Sequence, residues 1–264
     1  MAEIETGVAA GVPYVLCRPS TPRPDAPVVA AWHLLDAPRT PGAFAAALPL
    51  DGFDGWRVYL GLPLSGARSP SPEELARRVA ADPILEAHDP LNGEAVAEFP
   101  AAWAAILAAH GIAPGAVGLL GGSAGGGVAG AVALSGAVEV SAVVLVNALV
   151  NLRALQPILE QLQGHPYAWS PAAEAAADRM DLVARAGEFG ETPVRVVVGA
   201  DDHPEAMVAP ARELVDALRV ADLVEVPGLA HPLADEPGAE AAPQWDLARQ
   251  VDRLASEWFA RHVS

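Results

Sequence analysis

Cysteine and basic residues are scarce in this sequence, and their scarcity excludes several classes of protein. Cys17 is the only cysteine among 264 residues, so no disulfide can form within the chain and nothing indicates an oxidising compartment. The 16 basic residues stand against 33 Asp and Glu residues, which gives a formal net charge of −17 at pH 7. A surface this acidic repels nucleic-acid phosphates and anionic lipid headgroups, so we expect neither nucleic acid nor a membrane as a partner.

Long uncharged apolar runs are also lacking. Residues 1–6 are acidic and lead into no apolar h-region, so a signal peptide is not predicted. Residues 128–150 are numerous enough to cross a bilayer, but Glu139 lies near their middle. This stretch fits a helix end, a turn and a buried strand better than a membrane span. We therefore expect a soluble, cytoplasmic protein.

What the sequence has in abundance is glycine around one serine. An apolar run at 117–120 ends in Gly121-Gly122-Ser123-Ala124-Gly125, and a helical segment of small residues follows to about Ser135. This is G-x-S-x-G between a predicted strand and a predicted helix, the arrangement of a nucleophile elbow. The turn must be so sharp that flanking residues have no room for a Cβ atom. The pattern predicts Ser123 as a nucleophile, with the Ala124 N–H directed at the same space.

A second interpretation of the same stretch is dinucleotide binding. Residues 125–130 form a formal G-x-G-x-x-G motif. Such a motif should follow its strand directly, and the next strand should end in an acidic residue. Here Ser123 and Ala124 intervene, and the next predicted strand ends in Asn147. The motif alone therefore favours the elbow and leaves nucleotide binding as the weaker alternative.

Short apolar runs predict strands, and helical patterns separate most of them. The predicted strands are 28–32, 56–60, 117–120, 141–146, 193–198 and 223–226, after a leading hairpin within residues 4–17. Strands that alternate with helices indicate a parallel sheet built from crossover units.

Helix signals lie between these strands. Ser71-Pro72-Glu73-Glu74 is a capping box that begins a short helix. Apolar residues recur at helical spacing over 92–110, where Pro100 lies inside the helix or marks its first turn. A last helix is predicted near 243–262. Two further helical segments, 152–162 and 170–186, lie between Asn147 and the strand at 193.

A serine hydroxyl is a weak nucleophile at neutral pH, so it needs a base that is itself oriented by a third group. Ser123 is followed along the chain by Asp201 and Asp202, directly after one strand, and by His231, directly after the next. All of these residues follow the carboxyl ends of predicted parallel strands, where sites form in open α/β sheets. The pattern predicts a Ser-Asp-His site in which either aspartate could be the acid.

The elbow and the chain order Ser, Asp, His resemble the α/β-hydrolase superfamily. The GGSAGG sequence is most similar to its esterase, dienelactone-hydrolase and prolyl-oligopeptidase-like branches, and the resemblance extends from His33 to His231. It implies an α/β fold with a mostly parallel central sheet and helices on both faces. It also implies a small helical cap at about 151–190 within a single domain of residues 1–264.

The resemblance also implies roles for individual residues. The family pattern strand-G-x-x-D, counted from Gly199, selects Asp202 rather than Asp201. The loop after His33 should supply the second oxyanion-hole N–H, from Leu35 or alternatively Leu34, while His33 itself is expected to be structural. The implied site is the nucleophile Ser123, the acid Asp202, the base His231 and the oxyanion donors Ala124 and Leu35.

The expected reaction is hydrolysis of a small carboxylic ester through an acyl-enzyme. A thioesterase, a lactonase or a small peptidase on the same triad is an alternative, although a prolyl-oligopeptidase-type enzyme carries a large extra domain for which 264 residues leave no room. A non-catalytic binding protein of the same fold is another. No Cys/His cluster has metal-ligand spacing, so we expect no metal and no organic cofactor. The expected partner is a small-molecule ester, and the oligomeric state stays open.

Overall fold

The structure is a computed structural model that describes residues 4–264, which form one eight-stranded sheet. The strands are β1 (Ile4–Ala9), β2 (Val12–Cys17), β3 (Val28–Trp32), β4 (Trp56–Leu60), β5 (Val117–Gly122), β6 (Val140–Val146), β7 (Val194–Gly199) and β8 (Ala221–Val226). Their order is β1-β2-β4-β3-β5-β6-β7-β8. The hairpin β1–β2 joins β4 in antiparallel fashion, and β3 to β8 run parallel. The predicted α/β class and the leading hairpin are both confirmed.

Helices cover both faces of the sheet. They are α1 (Pro41–Ala47), α2 (Pro72–Ala81), α3 (Asp89–His110), α4 (Ala124–Ser135), α5 (Gln156–Gln163), α6 (Pro171–Arg179), α7 (Ala209–Ala217) and α8 (Asp246–His262). One core packs α3, α4 and α7 against the sheet, and the other packs α1 and α8. In β3, Val28, Ala30 and Trp32 enter the first core while Val29 and Ala31 enter the second. A strand buried on both faces has to be apolar throughout, as these strands are.

Local sequence signals explain several helix ends. The Ser71 side chain accepts a hydrogen bond from the Glu74 N–H at 3.2 Å, as the capping box predicts. Pro100 lies within α3, and Gly111 ends that helix at a φ of 64°. Glycine tolerates this left-handed conformation because it has no Cβ atom.

The helix predicted over 170–186 is shorter than expected. It ends at Arg179, and the Met180 N–H bonds back to the Ala176 and Ala177 carbonyls. The chain then turns so that the Leu182 N–H donates to the Val150 carbonyl, and the Leu182 side chain is fully buried. The helical pattern of the sequence continues to residue 186, but burial of Leu182 in the core ends the helix at Arg179.

Two excursions rise from the carboxyl end of the sheet. The first follows β4 and contains α2 and a helical turn at Ile84–His88. The second follows β6 and contains α5 and α6. Within residues 4–264, no helix is both long enough and apolar enough to cross a membrane.

Candidate active site

Ser123 lies on the turn between β5 and α4, in a backbone conformation that residues other than glycine seldom adopt. Its φ is 50° and its ψ is −121°, and such a conformation persists only where the surroundings hold it. The Ser123 N–H donates to the Val146 carbonyl at 3.0 Å, and its own carbonyl accepts from the Leu149 N–H at 2.9 Å. Backbone hydrogen bonds to the end of β6 and the residues after it therefore hold the strained turn.

The glycines around Ser123 are required by close backbone contacts. A Cβ atom on Gly121 would lie 2.1 Å from the Gly125 carbonyl oxygen, and one on Gly125 would lie 2.3 Å from the His33 carbonyl oxygen. Both distances are far below any van der Waals contact. The absence of side chains expected at the elbow thus has a direct steric cause.

The structure brings Ser123, Asp202 and His231 together at the carboxyl edge of the sheet. His231 Nε2 lies 2.9 Å from Ser123 Oγ, and His231 Nδ1 lies 2.8 Å from Asp202 Oδ2. The Asp202 side chain is almost fully buried, and its other oxygen accepts a hydrogen bond from the His203 N–H at 2.6 Å. Asp201 is exposed to solvent. Because a carboxylate accepts, His231 carries its proton on Nδ1 and presents a bare Nε2 to the serine.

The surroundings of His231 leave it more basic than a free imidazole. Desolvation by burial lowers the pKa of His231, but the hydrogen bond and charge of Asp202, together with the charge of Asp36, outweigh it. The pKa therefore lies above the ordinary value of 6.5. Asp36 contributes because one of its carboxylate oxygens lies 3.4 Å from His231 Nε2. Asp36 was not predicted from the sequence as a site residue.

Asn147 holds the loop that carries His231. This buried residue follows β6 at a φ of 44°. Its side-chain NH₂ donates to the carbonyls of Ala230 and His231 at 2.9 and 2.8 Å, and its side-chain oxygen accepts from the Gly199 N–H at 2.8 Å. One amide thereby ties the loop after β8 to the end of β7. The only signal for Asn147 in the sequence was its position directly after a predicted strand, at the same sheet edge as Ser123.

Ala124 and Leu35 line the same cavity as Ser123. Ala124 is the first residue of α4, so its N–H lies ahead of the helix's own hydrogen-bonded turns and has no acceptor within the helix. Leu34 is fully buried in the core under α1, which leaves Leu35 as the cavity-lining residue of the pair.

His33 lies beneath this loop and is fully engaged there. Its Nδ1 donates to the Leu34 carbonyl at 2.6 Å, and its Nε2 accepts from the Leu62 N–H at 3.2 Å. Desolvation lowers the pKa of His33 to about 4, although the hydrogen bond to Leu34 opposes the shift. His33 is thus a buried neutral imidazole that joins two backbone segments.

A cavity of about 580 Å³ opens above Ser123 and His231. Both excursions line it, the first with Leu64, Leu75, Val79 and Ala87, and the second with Leu155, Ile158, Leu159 and Leu162, while Leu91 of α3 completes the wall. The cover of the cavity is thus shared between the two excursions, whereas the resemblance had implied a cap at about 151–190 alone. His88 also lines the cavity, and desolvation lowers its pKa to about 4, so it contributes a neutral imidazole to a mostly apolar wall.

Three large side chains of the second excursion do not line the cavity. Tyr167, Trp169 and Met180 pack behind the cavity wall, in the apolar cluster that also contains Leu155 and Leu159. The Tyr167 hydroxyl donates to Asp82 at 2.7 Å, and the Trp169 ring N–H donates to Gln156 at 2.8 Å. The Tyr167 hydroxyl therefore attaches the second excursion to the first, whereas the Trp169 hydrogen bond lies within the second excursion.

Comparison with known proteins identifies the fold. Neither a protein-family model nor a curated protein matches the chain. Among solved structures, TT1662 from Thermus thermophilus has a TM-score of 0.63 at 18% identity over 98% of each chain. Dienelactone hydrolase from Anabaena variabilis has a TM-score of 0.59 at 20% identity, over 100% of this chain and 99% of that one. The chain has the α/β-hydrolase fold.

Longer enzymes contain a similar unit. The acylaminoacyl peptidase of Pyrococcus horikoshii has a TM-score of 0.66 at 12% identity, and the match covers 100% of this chain but 42% of the peptidase. The similarity is therefore to one part of that enzyme.

Proposed function

We propose that this protein is a serine hydrolase that cleaves carboxylic esters of small substrates through an acyl-enzyme. The observation that carries the proposal is the continuous hydrogen-bonded series from Asp202 through His231 to Ser123 on a strained elbow. The α/β-hydrolase fold supports it, since similar solved structures include esterases and a dienelactone hydrolase.

The proposed first half-reaction forms a bond between Ser123 Oγ and the ester carbonyl carbon. The serine proton passes to His231 Nε2, and Asp202 stabilises the imidazolium that results. The N–H groups of Ala124 and Leu35 bind the oxyanion of the tetrahedral intermediate. When the intermediate collapses, the carbon–oxygen bond to the alcohol breaks, and the alcohol takes the proton from His231.

The second half-reaction repeats these steps with water. His231 takes a proton from water as it attacks the acyl carbon, and then returns a proton to Ser123 Oγ as the acid leaves. Neither half requires a metal. Among residues 4–264, no group of three or more His, Cys, Asp or Glu side chains is arranged to hold one.

Ester rather than peptide cleavage is favoured by the cavity. It is lined largely by apolar side chains, and its volume of about 580 Å³ suits a small molecule. An activated ester also has a better leaving group than an amide, so its leaving group depends less on protonation by the acid form of His231.

The direct test is covalent labelling with a serine-directed fluorophosphonate. The parent protein should be labelled and should hydrolyse p-nitrophenyl acetate, whereas Ser123→Ala should do neither while keeping its thermal unfolding midpoint. Ser135→Ala is a matched control, because Ser135 ends the same helix and its hydroxyl bonds only to nearby backbone, donating to the Val132 carbonyl and accepting from the Ala137 N–H. Equal labelling of the parent and of Ser123→Ala would overturn the assignment of the nucleophile.

A further inference from the structure

Asp36 places a carboxylate beside the reacting atoms. It follows Leu35 in the loop after β3 and lines the cavity. One carboxylate oxygen lies 3.4 Å from His231 Nε2, the same nitrogen that lies 2.9 Å from Ser123 Oγ. The proposed mechanism does not use Asp36.

The other charged groups around the cavity are already paired. The guanidinium of Arg39, which also lines the cavity, forms an ion pair with Glu236. Asp202 is engaged by His231 Nδ1 and by the His203 N–H. By contrast, the Asp36 side chain is 56% exposed and faces the cavity. The local charge that an incoming substrate meets is therefore negative.

The chemistry of the reaction fixes which part of a substrate lies next to Asp36. The leaving alcohol must take its proton from His231 Nε2, so its oxygen has to come within hydrogen-bond reach of that atom. Since Asp36 lies 3.4 Å from the same nitrogen, the atoms attached to the alcohol oxygen pass beside the carboxylate. The acyl portion lies on the other side of the carbonyl carbon and is farther from Asp36.

We propose that Asp36 is a specificity-determining residue that favours esters whose alcohol portion carries a cationic group. This inference rests on the proposed ester hydrolysis and adds its substrate class. A cationic group near the alcohol oxygen is attracted by Asp36, a neutral group is not, and a carboxylate at the same place is repelled. Because Asp36 is partly exposed, the attraction is moderate and is screened by salt.

The test compares two esters of the same shape. Acetylcholine carries a trimethylammonium group where 3,3-dimethylbutyl acetate carries a neutral tert-butyl group. In the parent, kcat/KM should be about fivefold higher for the cationic ester at low ionic strength. In Asp36→Asn the ratio should fall to about one, and any general loss of activity cancels in the ratio. Asp201→Asn is the matched control, because it removes a carboxylate that is exposed outside the cavity, and it should keep the parent's ratio.

A second measurement does not depend on turnover of either ester. Choline should inhibit the hydrolysis of p-nitrophenyl acetate more strongly than 3,3-dimethylbutanol does, and Asp36→Asn should abolish the difference. Equal turnover and equal inhibition in the parent, with p-nitrophenyl acetate still hydrolysed, would overturn the inference while the proposed function stands. If p-nitrophenyl acetate is not hydrolysed either, the proposed function has failed and the inference falls with it.

Discussion

Two adjacent aspartates follow β7, and a difference in burial separates them. Asp202 is buried and bonded to His231 Nδ1, whereas Asp201 is exposed to solvent. Neighbouring residues of an extended chain point in different directions, so only one of the two reaches the imidazole. Counting from Gly199 had selected Asp202, whose Oδ2 lies 2.8 Å from His231 Nδ1.

Asp202→Asn should therefore lower kcat for p-nitrophenyl acetate by about 10⁴-fold. Asparagine keeps the shape of the side chain but favours the wrong tautomer of the histidine, and this is the size of loss seen for the same change in a serine protease. Asp201→Asn should cost less than about tenfold, or about 1.4 kcal/mol of transition-state stabilisation. Steady-state kinetics on both variants would measure the two losses of kcat. A larger loss for Asp201→Asn than for Asp202→Asn would assign the acid to Asp201.

The strand–turn–helix element around Ser123 depends on backbone segments that nearly touch. Gly125 packs against the carbonyls of Trp32 and His33, where a Cβ atom would lie within 2.5 Å of both oxygens. Those carbonyls belong to the end of β3, from which the loop to Leu35 continues. The elbow and the loop that carries the proposed second oxyanion donor are thus positioned by one contact.

Gly125→Ala should destabilise the fold by about 1–3 kcal/mol, because the added methyl must displace backbone. It should also lower kcat by shifting the loop that leads to Leu35. Gly93→Ala is the control, since Gly93 lies within α3 and its Cβ atom would meet nothing within 4 Å. That change should raise stability by about 0.5–1 kcal/mol. Chemical unfolding gives the free energy of unfolding of each variant relative to the parent. Changes of similar size and the same sign for the two variants would contradict this account.

The second excursion limits the room available above Ser123. Leu155 and Leu159 are buried on its cavity side, whereas Leu162 lies at the same wall with 63% of its surface exposed. We propose that this segment acts as a small cap that restricts the acyl chain.

Among p-nitrophenyl esters, kcat/KM should therefore be highest for short acyl chains and should fall for long ones. Leu159→Ala should shift the preference toward longer chains, because it removes a buried wall of the cavity. Leu162→Ala should shift it much less, since that side chain is mostly in solvent. A rate that climbs steadily with chain length in the parent, especially on lipid dispersions, would show that the segment does not restrict the substrate.

The acid stability of the whole molecule should depend on His33. Its pKa is about 4 in the folded protein and has an ordinary value of 6.5. The unfolded chain therefore binds more protons than the folded one between these pH values, and stability rises with pH across that window. Lowering the pH from 6.5 to 4 should remove on the order of 3 kcal/mol of the free energy of unfolding through His33.

His33→Gln keeps an acceptor for Leu62 but cannot titrate. Urea unfolding between pH 4 and 6.5 should thus show a shallower pH dependence for His33→Gln than for the parent. The pKa of Asp252 is raised to about 6, chiefly by desolvation, and this residue acts in the opposite sense over the same window. It is present in both proteins and cancels in the comparison. Parallel curves for the two proteins would mean that His33 does not contribute in this way.

Signals that act over a few neighbouring residues were readable in the sequence. Glycines next to Ser123, the cap at Ser71 and the alternation of apolar strands with helices identified the elbow, a helix start and the α/β class. The order of Ser123, Asp202 and His231 along the chain then placed all three at one edge of a parallel sheet. These inferences succeed because parallel strands bring their carboxyl ends together whatever the loops contain.

Contacts between distant segments were decided by the tertiary structure alone. Asn147 bonds to the His231 carbonyl from 84 positions away, and Asp36 meets the same histidine because β3 and β8 reach the same edge of the sheet. Likewise Leu182 ends a helix by entering the core, and Tyr167 joins the two excursions through its hydrogen bond to Asp82. Side-chain burial and long-range hydrogen bonds depend on which loops face each other, and no local pattern of residues encodes that relation.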